Sequence, residues 1–135
     1  MRNKHSLLIL MALSALVAFS VQAQVVVVVG SNSFAAGMSK GQVADIFSGK
    51  STALTPLDQP EGSPLREEFY AKVTGKSAAQ MKAYWSRMAF TGRGMPPKEG
   101  AGSDDIKKIL SRNPAMIGYI EKSAVDGSVK TIFAP

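Results

Sequence analysis

The sequence contains no cysteine, and its single histidine is His5 in a chain of 135 residues. Without thiols there is no disulfide framework, so packing alone has to hold the core. From Gln24 onward the chain has neither imidazole nor thiol. That excludes Ser-His-Asp and Cys-His catalysis and ordinary zinc sites. Acidic residues are also scarce, 10 against 16 Lys and Arg. The basic surplus is spread along the chain and forms no Lys/Arg stripe of the kind that marks a nucleic-acid groove. Low-complexity tracts and internal repeats are missing too, which leaves an ordinary globular composition.

Met1-Arg2-Asn3-Lys4-His5 is a short basic opening, and Leu7 to Phe19 is an apolar run too short to span a bilayer. Val21-Gln22-Ala23 follows with the small-x-small pattern at which a signal peptidase cuts. Residues 1–23 are therefore expected to be a signal peptide rather than an uncleaved anchor. The remaining 112 residues, Gln24 to Pro135, are expected to form one exported, periplasmic domain with no membrane attachment after cleavage. Loss of Arg2 and Lys4 with the signal lowers the formal charge from +6 to +4.

Val25 to Val29 is an uninterrupted β-branched run, predicted as a strand buried on both faces. Ser39-Lys40-Gly41-Gln42 has the form of a capping box and starts a short helix, about Lys40 to Ser48, with Val43, Ile46 and Phe47 on its buried face. Thr52 to Asp58, with Pro56 inside it, reads as a short strand at or near a sheet edge. Ser63 followed by Pro64 marks a helix start, with Leu65, Phe69 and Val73 inward and Gly75 as the stop. Ser77 to Gln80 is a second capping box, and Met81, Tyr84, Trp85 and Met88 form a core stripe on the helix it opens. Phe90 to Gly102, rich in Gly and Pro, is predicted as a loop. A further helix begins at Ser103-Asp104-Asp105, buries Ile106, Ile109 and Leu110, and ends at Asn113-Pro114. Met116 to Ile120 and Val129 to Phe133 are predicted strands, the second entered through an Asp126-Gly127 turn. Interleaved strands and helices imply an α/β fold, a small mixed sheet covered by helices.

Three segments carry a family resemblance. Met38 to Lys50, ending in Ile46-Phe47-Ser48-Gly49-Lys50, looks like the helix that ends in Ile-Phe-x-Gly-Lys in phosphate-type solute-binding proteins of ABC importers. Glu61-Gly62-Ser63-Pro64-Leu65-Arg66-Glu67-Glu68-Phe69 is similar to their Ser-Gly-Thr loop and the helix after it. Asn113 to Ile120 resembles their Pro-Gly-x-Ile-Gly-Tyr-Val strand entry. The ordered set covers most of residues 24–135 and implies one lobe of the type II periplasmic-binding-protein fold, where family members have two. It also implies phosphate or another small oxyanion as ligand, a membrane transporter or periplasmic protein as partner, and no cofactor. Two positions depart from the family pattern. Leu57 stands where phosphate binders carry an arginine, and Glu61 where they carry a serine, so only Gly62 and Ser63 carry over as anion contacts.

Elementary electrostatics adds to this. A helix N-terminus offers unpaired N–H groups and partial positive charge to an anion. Pro64 lacks an N–H, which leaves the Ser63 hydroxyl and the N–H groups of Leu65 and Arg66. Arg66 is a cation in a first helical turn, an unfavourable place unless an anion is near. One reading makes Gly62, Ser63, Arg66 and Arg93 a site for an oxyanion, with weak affinity for free phosphate because a single lobe encloses little of it. In the other, Glu61, Glu67 or Glu68 already pairs with Arg66, and Ser63 is simply an N-cap. The alternative function is a protein-interaction module, in which Arg66, Arg93 and the 90–102 loop meet an acidic partner. Neither is enzymatic: Glu67 and Glu68 are adjacent on a helix and point apart, so they make no acid/base pair.

Overall fold

Five consecutive valines can all be buried only where a strand has protein on both faces. In the computed structural model, which describes residues 24–135, strand β1 (Val25–Gly30) is buried along its whole length. The expected signal peptide lies outside the described residues. Side chains alternate across a strand, so the run divides between two cores. Val25, Val27 and Val29 join Phe47, Phe69 and Trp85 in one, while Val26 and Val28 join Leu57, Ile106 and Leu110 in the other.

Apart from one short extra strand, the remaining elements follow in the predicted order. They are α1 (Lys40–Phe47), β2 (Thr55–Asp58), α2 (Pro64–Thr74), α3 (Ala78–Phe90), β3 (Lys98–Glu99), α4 (Ser103–Arg112), β4 (Met116–Glu121) and β5 (Val129–Phe133). One short 3-10 turn, Lys122–Ala124, had no sequence signal. Both predicted capping boxes form: Ser39 with Gln42 opens α1, and Ser77 with Gln80 opens α3. Helix α2 ends at Gly75 in the left-handed conformation, as its sequence predicts.

The strands form one mixed sheet in the order β3-β2-β4-β1-β5. β1 runs antiparallel to β4 and β5, whereas β2 is parallel to both β4 and β3. Helices α1, α2 and α3 supply the larger core on one face, and α4 covers the other. Gly118 in β4 allows that helix to approach, since a Cβ there would lie 3.0 Å from Ile106 Cγ2 and 3.3 Å from Leu110 Cδ1.

The segment Phe90 to Gly102, expected to be a loop throughout, contributes the two-residue edge strand β3. Its Lys98 and Glu99 align with Leu57 and Asp58 of β2. A pair of residues is too short to carry a periodicity signal. β2 itself begins at Thr55, three residues later than expected. Because β3 reaches only Leu57 and Asp58, the strand is still an edge at Pro56, where a missing N–H is tolerated.

Candidate functional site

In open α/β sheets, ligands are taken outside the carboxyl ends of parallel strands. Here those ends are Asp58 of β2, Glu99 of β3 and Glu121 of β4, and helices α2 and α4 both begin beside them. The link from β2 to α2 is a tight turn in which Ser63 N–H donates to the Pro60 carbonyl, 3.1 Å. Gly62 sits at the third position of that turn with φ +83°, the value a type II turn requires and glycine adopts freely. The turn is exposed at Glu61 and Gly62 and half-buried at Ser63.

Ser63 occupies the N-cap position of α2 in extended conformation, but its side chain makes no capping hydrogen bond. Its carbonyl accepts from the N–H groups of Arg66, 3.1 Å, and Glu67, 3.3 Å. Leu65 N–H, at the second helical position, has no intrahelical acceptor and no other partner among the described residues. The helix tip thus keeps one hydroxyl and one N–H uncommitted, while the Arg66 N–H is engaged within the chain.

The Arg66 side chain turns back toward the sheet. Its Nη1 donates to Glu99 Oε1 at 2.6 Å and to the Gln59 carbonyl at 3.1 Å, and its Nε lies 3.7 Å from Asp58 Oδ2. The carboxylates expected to pair with it lie elsewhere. Glu61 bonds Lys82, Glu68 bonds Lys72 at 2.8 Å, and Glu67 faces the Ala78 N–H at the start of α3. Arg66 is paired from within the chain, then, but by groups at the ends of β2 and β3, of which Glu99 is 33 residues away.

Beneath Arg66 is a buried polar knot with no counterpart in the sequence reading. Asp58 is 1% exposed. It accepts from Tyr70 Oη at 2.5 Å, from Tyr119 Oη, and from the Gln59 N–H at 3.0 Å. Burial raises the Asp58 pKa above the usual carboxylate value, although the two phenols and Arg66 pull the other way. Burial and the neighbouring Asp58 charge likewise push both tyrosines far up, so they remain protonated donors. Gln59 ties the knot outward, its Nε2 donating to the Tyr119 carbonyl at 3.0 Å and to Ser103 Oγ at 3.2 Å. Ser103 in turn donates to Glu121.

Gly62, Ser63 and Arg66 therefore lie on one turn at the carboxyl end of β2. Arg93 shares no hydrogen bond or ion pair with them among the described residues. It follows Gly92 in the turn after α3, is exposed, and its side chain bonds no partner among the described residues. A cleft of about 460 Å³ beside Arg66 is lined by Glu61, Lys82, Trp85, Pro97 and Glu99, without Arg93 or Ser63. Among the described residues no three acidic groups are gathered to hold a metal ion, and no helix is long and apolar enough to cross a membrane.

No protein-family model matches the chain, and no curated protein matches it. Solved structures do. A phosphate ABC transporter substrate-binding protein from Clostridium perfringens, with bound phosphate, superposes with a TM-score of 0.65 at 22% identity. An ABC-type phosphate transport receptor from Vibrio cholerae gives 0.64 at 17% identity, and PstS from Borrelia burgdorferi gives 0.60 at 9%. Each match covers 82% of this chain and 44% to 46% of the other. The chain spans less than half the length of the proteins it matches, and at these identities the likeness shows the shared α/β fold.

Proposed function

We propose that this chain is an exported, non-enzymatic domain of the solute-binding type that takes phosphate or a similar oxyanion, weakly, at the turn where α2 begins. One observation carries the reading. The Ser63 hydroxyl and the Leu65 N–H stand uncommitted at a helix tip beyond the carboxyl end of β2. The fold is shared with proteins of phosphate import, one of them solved with phosphate bound. Gly62 lets the turn close and leaves its outer side open to a ligand, since nothing lies within 4 Å of where its Cβ would be. Arg66 adds positive charge that is largely offset by Glu99 and Asp58. Exposed Arg93 contributes only to the longer-range field, which salt screens.

The affinity is weak for two physical reasons. An anion at this turn is met from one side only by the described residues and stays largely solvated. The best cation near it already has a carboxylate partner at 2.6 Å. The natural partner of a domain of this kind is an ABC-type membrane transporter, and its compartment is the periplasm, reached through the signal peptide at residues 1–23.

Amide-resolved NMR titration with phosphate and with sulfate tests the site. Saturable shifts centred on Gly62 to Arg66, with a millimolar midpoint, are the expected result. A chain whose amides ignore both ions has no such site, and a sub-micromolar constant by calorimetry would remove the claim of weakness. Export is checked separately by cell fractionation and by N-terminal sequencing, which should find Gln24 first.

A further inference from the structure

The largest cleft among those described lies at the opposite end of the parallel strands, where β2 and β4 begin. It measures about 690 Å³, within the size range of small-molecule sites. Its walls are apolar, with Ile46, Leu54, Trp85, Pro97 and Met116 prominent. Its polar rim includes two cations, Lys98 and Arg112, and no carboxylate at all. Neither cation has an acidic group within 4 Å or a side-chain hydrogen bond among the described residues.

Trp85 supplies the second observation. It is 8% exposed, and its indole N–H is buried without any hydrogen-bond acceptor. Buried indole N–H groups in native structures nearly always have a partner. The ring is also held tightly. A Cβ on Gly49 would stand 2.8 Å from Trp85 Cη2, and one on Gly94 would stand 3.3 Å from Cζ3, so two glycine backbones lie against its benzo edge. A fixed aromatic wall and unpaired positive charge meet at one cleft, while the indole N–H itself stays buried behind the ring.

We infer that this cleft binds a small amphipathic anion, an organic carboxylate or comparable acid whose apolar body lies against Trp85 and the prolines while its charge meets Lys98 and Arg112. An apolar cleft alone would accept any hydrophobe. The excess of cations on its rim selects against neutral and positively charged ones. The common alternative for Arg112 is simple solvation at the C-terminal end of α4, where the helix dipole favours a cation. Lys98 lies on the edge strand β3, where a lysine also blocks pairing with another sheet; neither role requires both cations to share the rim of one cleft that has no carboxylate. The groups proposed for oxyanion binding at the α2 turn, Ser63, Leu65 and Arg66, do not line this cleft, although Trp85 and Pro97 are shared with the cleft beside Arg66.

Trp85 is the only tryptophan in the chain, so its emission reports directly on the cleft. Titrations with octanoate and with octylamine compare the same alkyl chain with opposite charge, and calorimetry supplies the constants. Octanoate should give a saturable change in Trp85 emission, and octylammonium none. The double variant K98Q/R112Q should weaken octanoate about tenfold while its thermal unfolding stays in place. Inorganic phosphate should leave the octanoate titration unmoved. The inference is overturned if octanoate produces no saturable change, if octylammonium binds as well, if the double variant binds unchanged, or if phosphate competes.

Discussion

The guanidinium of Arg66 and the carboxylate of Glu99 meet at 2.6 Å across 33 residues of sequence. The pair joins the first turn of α2 to the edge strand β3 and sets a negative charge beside the helix tip that would otherwise attract an anion. Glu99 is 45% exposed, so the pair contributes little to stability. Its larger effect is on charge: the one arginine near the α2 turn is largely offset before a ligand arrives. Glu99→Gln should therefore bind phosphate about three- to tenfold more tightly than the parent, with unfolding free energy changed by less than about 1 kcal/mol. Calorimetry on both chains decides the matter, and equal or weaker binding in the variant counts against Arg66 as a participant.

The three serines at N-cap positions behave differently in this fold, and substitution should separate them. Ser39 and Ser77 accept from Gln42 N–H at 3.2 Å and Gln80 N–H at 3.1 Å, so each secures its helix start. Ser63 makes no such bond. Ser77→Ala should cost about 1 kcal/mol in urea unfolding. Ser63→Ala should fall within about 0.3 kcal/mol of the parent, yet lose most of the phosphate-induced NMR shift. A Ser63→Ala variant as unstable as Ser77→Ala would mean that the hydroxyl is a cap in solution and not a free donor.

How far these features could be read in advance depends on their range along the chain. Caps, turns and buried faces are written within a few residues. Ser39 and Gln42, Ser77 and Gln80, and the alternation that sends Val25 to Val29 into two cores were therefore legible. The Asp58 knot was not. Its donors are Tyr70 and Tyr119, the second 61 residues away, and no local pattern links a strand-end carboxylate to either phenol. The same holds for Glu99, whose two-residue strand exists only because β2 lies beside it. Glu61, Glu67 and Glu68 were the nearer candidates for Arg66 in sequence. The fold instead directs the guanidinium back over Asp58, leaving those three to partners on α2 and α3.

The Asp58 knot has a pH signature whose sign can be worked out. Burial raises the carboxyl pKa in the folded chain above the usual 3.8. A raised folded value means that the native state binds the proton more tightly than the unfolded state. The corresponding stabilisation is complete below about pH 3.8 and is lost as pH rises through the folded value. Asp58→Asn removes this titration. The stability of the parent relative to the variant should therefore be greatest in acid, decline across the interval above 3.8, and level off beyond it. Tyr119→Phe, which takes one phenol from the knot, should cost about 1–3 kcal/mol at neutral pH. Urea unfolding of the three chains across a pH series measures both effects, and a parent-minus-Asn difference that grows with rising pH would contradict the assignment.

Gly49 follows α1 with φ +79°, and its Cα faces the six-membered edge of Trp85. Two separate costs meet in a Gly49→Ala substitution. The left-handed backbone alone opposes a β-carbon by roughly 1–2 kcal/mol. The contact adds to it, because a Cβ 2.8 Å from Trp85 Cη2 cannot be accepted without movement. The indole has little room to yield, with Gly94 against Cζ3 and the Tyr84 ring 5.3 Å away, centroid to centroid. Gly62→Ala provides the control, since its φ is +83° and nothing lies within 4 Å of the added carbon. Gly49→Ala should therefore be the more destabilised of the two by about 1–3 kcal/mol, the range for overpacking a core. It alone should shift the emission of Trp85 in the folded state. Equal losses in both variants, with unchanged emission, would show that the α1 turn moves away from the ring and that backbone conformation is the whole effect.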